Sequence, residues 1–93
     1  MPITVKFIGA LRHASGEDKC VVECKKCTVK DLIRRITRKS PELLRNLVAG
    51  DAESLRPNAL ILVNGKEISI LDGLDTALKE GDEVVLVPVV HGG

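Results

Sequence analysis

The spacing of apolar residues changes twice along this chain, and these changes constrain the fold more than any other feature of the sequence. Ile3, Val5 and Phe7 alternate with polar neighbours, a pattern typical of a strand with one face on a core. From Val29 to Ile36 the apolar residues recur at helical spacing, and from Ala59 onward strand-like segments return. The sequence therefore predicts one main helix between two groups of strands.

Turn and capping residues set the boundaries of these elements. Gly9 to Asp18 has no periodicity and is predicted to form a turn into a second strand at about Lys19–Cys24. Thr28 and Asp31 are suited to cap the main helix, and Ser40-Pro41 predicts the start of a short second helix that exits at Gly50. The remaining predictions are a loop at 51–58, strands at 59–63, 66–70 and 83–87, and a one-turn connection at 71–78.

This order of elements predicts an α+β protein with a mixed sheet, the β-grasp or ubiquitin-like arrangement, with one main crossing helix and a short second helix. A right-handed crossover places the last strand parallel to the first, in the middle of the sheet. Leu60–Val63 and Val84–Val87 are apolar on both faces, which predicts central strands that are covered on both sides. The β-grasp domain is expected to span residues 1–88, followed by a flexible tail at 89–93.

Composition and charge narrow the possible functions. Phe7 is the only aromatic residue, so the chain has no aromatic platform on which nucleic-acid bases could stack. The net charge is +1, yet residues 1–50 carry +6 and residues 51–93 carry −5. Eight basic residues in one stretch suit either an anionic partner or, as we favour, a solvated helix face. They are Lys25, Lys26, Lys30, Arg34, Arg35, Arg38, Lys39 and Arg45. An RNA-binding module is the disfavoured alternative.

The cysteines and the absence of long apolar runs indicate the cellular compartment in which we expect the protein. No signal peptide is visible, and no run of ~18 apolar residues predicts a membrane span. Cys20, Cys24 and Cys27 form an odd set in a short chain, which favours reduced thiols in a cytoplasm. A closed zinc site needs four ligands, so we favour simple packing of these cysteines and expect no bound metal. Cys27, beside a helix start, is the candidate for a reactive thiol.

The last two residues, Gly92 and Gly93, are the strongest functional signal. Five residue steps beyond Pro88 reach at most about 18 Å, enough to enter a cleft in another protein. Glycine passes through channels too narrow for other residues. The chain lacks a phosphate-binding loop, a nucleophile and base pair, and an acidic metal cluster. We therefore expect a substrate of another enzyme, with no cofactor of its own.

One sheet face away from the helix is a second candidate. Thr4, Lys6 and Ile8 share that face, which we also assign to Val85 and Val87. An exposed apolar patch there would mark a protein interface, whereas a loop could equally cover it.

The chain resembles the MoaD/ThiS-type ubiquitin-like sulfur carriers, above all the small subunit of molybdopterin synthase and its archaeal relatives. The similarity runs nearly end to end and is most specific in the second half. It is carried by Val5-Lys6-Phe7, Gly9, Arg12, Ser15-Gly16, Thr28-Val29, Asp31-Leu32, Leu62-Val63-Asn64-Gly65, Gly73-Leu74-Asp75-Thr76, Leu78, Gly81-Asp82-Glu83-Val84, Pro88 and Gly92-Gly93.

The resemblance implies a carrier that is not itself an enzyme. Gly93 would become an acyl-adenylate and then a thiocarboxylate, through an adenylyltransferase of the ubiquitin-activating type that uses ATP. The partner-binding surface would comprise Gly92, His91, Val90, Val85, Val87 and Ile8. The sulfur would pass to an acceptor such as the large subunit of molybdopterin synthase. Alternatives are a protein modifier joined to lysines through Gly93, or a sulfur donor for tRNA or thiazole synthesis.

Overall fold

A computed structural model describes residues 1–38, 40–49 and 56–89 of the chain. In chain order its elements are β1 (Ile3–Phe7), α1 (Ala10–Ser15), β2 (Lys19–Val22), β3 (Cys27–Thr28), α2 (Val29–Thr37), α3 (Pro41–Leu47), β4 (Val48–Ala49), β5 (Arg56–Pro57), β6 (Ala59–Val63), β7 (Lys66–Glu67), two 3₁₀ helices (Ile68–Ile70 and Gly73–Asp75), β8 (Ala77–Leu78) and β9 (Glu83–Pro88).

Among the described residues, the main sheet has five strands in the order β2-β1-β9-β6-β7. Strand β9 runs parallel to β1, with Val5 opposite Val84, and antiparallel to β6, with Ile61 opposite Leu86. The predicted position of the last strand, parallel to the first and in the middle of the sheet, is confirmed. This is the expected α+β architecture with a β-grasp sheet.

The main helix starts where its caps predict. The Thr28 hydroxyl accepts a hydrogen bond from the Asp31 N–H at 3.2 Å, and the Asp31 carboxylate accepts one from the Thr28 N–H at 3.0 Å. These reciprocal bonds satisfy two backbone donors that a helix start otherwise leaves unpaired. Leu32 and Ile33 are buried against the sheet, and Ile36 is half-buried, as their spacing predicts.

The short second helix is also confirmed. The Ser40 hydroxyl accepts from the Leu43 N–H at 3.2 Å, and Pro41 occupies the first turn, where its missing N–H has no consequence. Leu43 and Leu47 are buried. The predicted exit at Gly50 lies outside the described residues.

The prediction of a simple turn at Gly9 to Asp18 is wrong, because a helix, α1, occupies part of that segment. Leu11 and Ala14, three residues apart, are buried on one side of it, and Gly16 ends it with φ 81°. Six residues are too few to reveal a helical period in the sequence. Packing against α3 stabilises this helix more than local propensity does.

The strands also differ from the predictions: β9 runs one residue further, to Pro88, and residues 77–78 of the connection predicted at 71–78 form β8. Strand β2 ends at Val22 rather than at Cys24. The return strand predicted at 66–70 ends at Glu67, because the Glu67 side chain accepts from the Ser69 N–H and caps a 3₁₀ turn. Within the loop predicted at 51–58, residues 56–57 pair with β4, and residues 51–55 lie outside the described residues.

The two faces of the sheet differ in burial. On the inner face, Val84, Leu86 and Ile61 are at most 1% exposed and join the helices in one core. On the outer face, Val85 and Val87 remain partly exposed. The expectation that the central strands are covered on both sides is therefore wrong, because the apolar residues of the outer face are not enclosed by the described chain.

The Asp31 cap makes a testable prediction about pH. Hydrogen bonds from the Thr28 N–H and then the Thr28 side chain hold the pKa of Asp31 below its ordinary value of 3.8. The resulting stabilisation is full above that ordinary value and is lost as the pH falls through the lower folded-state pKa. Asp31→Asn should therefore lower the free energy of unfolding at neutral pH and match the parent protein at about pH 2.

Urea unfolding at several pH values measures this difference. Glu23→Gln is the matched control, because Glu23 is exposed and its carboxylate makes no hydrogen bond or ion pair in the described chain. If Asp31→Asn lowered the free energy of unfolding by the same amount in acid as at neutral pH, the ionised Asp31 carboxylate would not be the group that stabilises the cap.

Candidate functional site

The chain reaches its last residues directly from the centre of the sheet. Pro88, the last residue of β9, lies opposite Ala59 of β6, and Val89 is 47% exposed. Because β1 and β9 are parallel, this exit lies at the same end of the sheet as the end of β1. Residues 90–93 of the predicted tail, with Val90, His91, Gly92 and Gly93, lie outside the described residues, and their roles stay predictions.

A close contact fixes the exit of β9. The Ile8 N–H donates to the Leu86 carbonyl at 3.0 Å, which extends the parallel pairing by one residue. The next residue, Gly9, has φ 58°, a conformation that side chains with a Cβ rarely adopt. A Cβ at this position would lie 3.3 Å from Pro88 Cγ. Gly9 therefore lets the chain turn into α1 directly against the proline from which the tail departs.

The outer face next to this exit is apolar. Ile8 is 43% exposed, and Val85 and Val87 are partly exposed beside it. The register of β6 against β9 adds Leu60, opposite Val87, and Leu62, opposite Val85. We call these five residues the outer patch. No described segment buries it, so the structure favours an interface over a covering loop among the two alternatives left open by the sequence.

Leu60 and Leu62 were not assigned to the site from the sequence. Their strand is apolar at every position, so alternation alone does not show which residues face outward. The antiparallel register supplies that information, because residues opposite each other across a pair share a face. The hairpin signal at Asn64-Gly65 fixes a different register, that of β6 against β7, and it places Leu62 opposite the polar Glu67. A polar partner on the same face could have indicated that Leu62 faces outward.

Charged residues border the outer patch away from the tail. Lys6 Nζ lies 3.0 Å from Glu83 Oε2, and both side chains are nearly half exposed. Such an exposed pair contributes little to stability. It therefore forms a charged border to the apolar outer patch rather than a structural element.

The proposed reactivity of Cys27 is wrong. Its side chain is buried, and desolvation, followed by a hydrogen bond with the Cys24 side chain, raises the pKa of the Cys27 thiol to about 12. The thiol is therefore protonated at neutral pH and is a poor nucleophile. Burial, followed by the nearby Glu17 carboxylate, also raises the pKa of Cys20. Both cysteines pack as small apolar residues at the edge of the core.

Residues 1–38, 40–49 and 56–89 form neither a metal-ligand cluster nor a membrane-spanning helix. Within these ranges no three His, Cys, Asp or Glu side chains are grouped as a metal site would require. The same part of the chain contains no helix with the length and hydropathy to cross a bilayer.

Comparison with known proteins decides the family. The model of the ThiS family matches residues 5–93, almost the whole chain and including both terminal glycines. The chain belongs to the ThiS family. A proposed sulfur carrier protein of Archaeoglobus fulgidus is 36% identical over 93 residues, which cover 100% of both chains.

Two further relatives of this ThiS-family chain are small archaeal modifier proteins. Small archaeal modifier protein 3 of Haloferax volcanii is 32% identical, again over 100% of both chains. The solution structure of small archaeal modifier protein 1 from Methanosarcina acetivorans superposes with a TM-score of 0.80 at 35% identity. That match covers 99% of this chain and 96% of the other. The chain is therefore a small ubiquitin-like protein of the carrier and modifier type.

The contact of Gly9 with Pro88 can be measured by a double-mutant cycle. Gly9→Ala should destabilise the protein by about 1–3 kcal/mol, because an alanine is strained at this backbone conformation. Part of this loss should disappear in a Pro88→Ala background, where the added Cβ has room, with a coupling of about 0.5 kcal/mol or more. Urea unfolding of the four proteins gives the values. If the losses in the free energy of unfolding of the two single variants added up to the loss in the double variant, Gly9 and Pro88 would not interact.

Proposed function

We propose that this chain is a sulfur carrier that works through the carboxylate of Gly93. The observation that carries the proposal is the family match, which extends through Gly93 on a chain whose last strand lies at the centre of the sheet. The full-length similarity to a proposed sulfur carrier supports it. The outer patch beside the strand exit supplies a surface on which a partner can dock while the last residues enter its cleft.

The chemistry requires an activated carboxylate. A carboxylate oxygen is a poor leaving group, so the Gly93 carboxylate first attacks the α-phosphate of ATP and releases pyrophosphate. Hydrosulfide then displaces AMP from the acyl-adenylate and leaves a thiocarboxylate directly. A persulfide donor instead gives an acyl disulfide, which a thiol reduces to the thiocarboxylate with formation of a disulfide. The sequence contains no phosphate-binding loop, so an adenylyltransferase of the ubiquitin-activating type supplies this chemistry. ATP is that enzyme's substrate and is not a cofactor of this chain.

The residues before Gly93 have distinct proposed roles. Gly92 has no side chain and fits a narrow channel toward the adenylation site. Val90 and His91 line the entrance to that channel on the partner. Ile8, Val85 and Val87 dock against the partner outside the channel, together with the two leucines of the outer patch.

We propose the large subunit of molybdopterin synthase as the acceptor of the sulfur, on the basis of the sequence resemblance. This chain would then act as the small, non-catalytic subunit. Transfer of sulfur from the purified thiocarboxylate to a pterin precursor held by that subunit tests the proposal. Transfer only to a tRNA-thiolating or thiazole-forming enzyme would replace this acceptor while leaving the carrier chemistry intact.

A second function uses the same activated terminus. The 32% identity to small archaeal modifier protein 3 favours a protein modifier that is joined to lysines through Gly93. A lysine amine that displaces AMP from the acyl-adenylate gives an isopeptide bond, whereas hydrosulfide that displaces AMP gives the thiocarboxylate. The two functions are compatible in one protein.

Intact mass spectrometry tests the carrier chemistry. Incubation with the cognate adenylating enzyme, ATP and a sulfur donor should exchange one oxygen for sulfur in the C-terminal peptide. One residue added after Gly93 should abolish the exchange, because the glycine carboxylate is then part of an amide. Gly92→Val should slow the exchange without changing stability.

Two outcomes of this experiment would count against the carrier proposal. An unchanged mass, with an enzyme proven active on another carrier, would refute the carrier proposal. Conjugates to lysines without a thiocarboxylate would favour the modifier function instead.

The docking role of the outer patch makes a separate prediction. Val87→Lys should raise the KM of the adenylating enzyme for this chain by about tenfold while changing kcat little, because an interface contact is lost. Ile70→Lys is the matched control, since Ile70 is 73% exposed and lies outside the patch. Its KM should match that of the parent protein. Equal effects of both substitutions would show that general surface charge, rather than the patch, determines the KM.

A further inference from the structure

The edge of the sheet at β2 has unpaired backbone groups. The Phe7 N–H donates to the Asp18 carbonyl at 2.8 Å, and Val5 lies opposite Cys20. In an antiparallel pair the residues that bond to the neighbouring strand alternate with residues whose N–H and C=O point away. Lys19 and Val21 therefore direct their backbone groups outward, and no described segment pairs with them.

A groove of about 500 Å³ adjoins this edge on the inner side of the sheet, between β2 and the helices α2 and α3. Its floor is apolar. Phe7, Val22 and Leu43 contribute buried side chains to the floor, while Cys20 and Ile36 are half-buried there. The groove is large enough for two aliphatic side chains, and it lies beneath the position that a further strand at this edge would occupy.

The helix side of the groove is positively charged. Arg35 and Arg38 line it, both are exposed, and no carboxylate of the described chain lies within ion-pair distance of either guanidinium. Glu17 and Glu23, which flank β2, also line the groove and carry the opposite charge. An occupant therefore fits best when its acidic group faces the arginines of α2 rather than the ends of β2.

We propose that β2 accepts an extended segment of a partner protein as a sixth, outermost strand of the sheet. Backbone hydrogen bonds to Lys19 and Val21 hold the segment, as in strand addition to an open sheet edge. Alternate side chains of an added strand face the same side, about 7 Å apart. Two aliphatic residues at this spacing enter the groove. The next two residues that face the same side are acidic, and they form ion pairs with Arg35 and Arg38.

This site is separate from the outer patch. The groove is on the inner side of the sheet at β2, whereas the outer patch is on the opposite face at β9 and β6. Neither the last residues of the chain nor an adenylating enzyme takes part. A carrier could therefore hold an acidic, extended segment of one partner at β2 while its outer patch faces another.

The test uses the unmodified full chain, labelled with ¹⁵N, and the peptide acetyl-Thr-Ile-Thr-Val-Thr-Glu-Thr-Glu-Thr-amide. Saturable shifts should map to β2 and to the groove-facing residues of α2. The N–H groups of Lys19 and Val21 should exchange with solvent more slowly when the peptide is bound. A control peptide with lysine in place of both glutamates should bind more weakly.

Two variants separate the backbone and charge contributions. Arg35→Glu with Arg38→Glu should weaken binding by at least about fivefold through loss of two ion pairs, whereas Arg34→Glu, exposed on the same helix but outside the groove, should leave it unchanged. Val21→Pro removes one outward N–H at a position where an edge strand tolerates proline. It should also weaken binding.

Three results would overturn the proposal. They are an absence of saturable shifts at millimolar peptide, shifts that map to Val85 and Val87 instead, or equal affinity of the glutamate and lysine peptides. The arginine variants keep the proposal open to refutation even where Val21→Pro does not fold.

Discussion

The parallel pairing of β1 with β9 determines where the other parts of this molecule lie. It joins the first and last strands of the chain, with Val5 opposite Val84 and Lys6 opposite Val85. Such a pairing needs a long crossover connection, and the segment between the strands provides it with the helices and the remaining strands. As a result, the strand that leads to Gly93 is held on both sides and leaves the sheet next to Gly9.

This central position gives the two faces of β9 different tasks. Val84 and Leu86 are fully buried and hold the strand against the helices. Val85 and Val87 alternate with them and remain partly exposed on the outer patch. One six-residue strand therefore anchors the core and exposes an apolar face beside its exit, and in the proposed function it also presents the docking surface for a partner. A rigid strand suits these tasks better than a loop, because it fixes the direction in which the chain leaves the domain.

Much of this arrangement follows from the sequence, and the exceptions have physical causes. The cap at Thr28 and Asp31 and the helical stripe through Leu32 are local signals, and the structure confirms them. Helix α1 is stabilised by tertiary packing of Leu11, and so short an element leaves no periodicity to detect. The sequence left an exposed and a covered outer face as equal alternatives, because apolar residues at every position are typical both of strands covered on two sides and of strands with an exposed apolar face. The burial that makes Cys27 unreactive likewise depends on residues distant in the sequence.

The central claim is that the outer patch docks on the activating enzyme while the last residues of the chain enter it. Methyl NMR of the ¹³C-labelled chain, titrated with the unlabelled adenylating enzyme and ATP, tests this claim most directly. The account predicts that the methyl groups of Val85 and Val87 shift or broaden first, together with those of Leu60, while the buried methyl groups of Val84 and Leu86 change little. Perturbations confined to α2, with the outer patch unchanged, would contradict it.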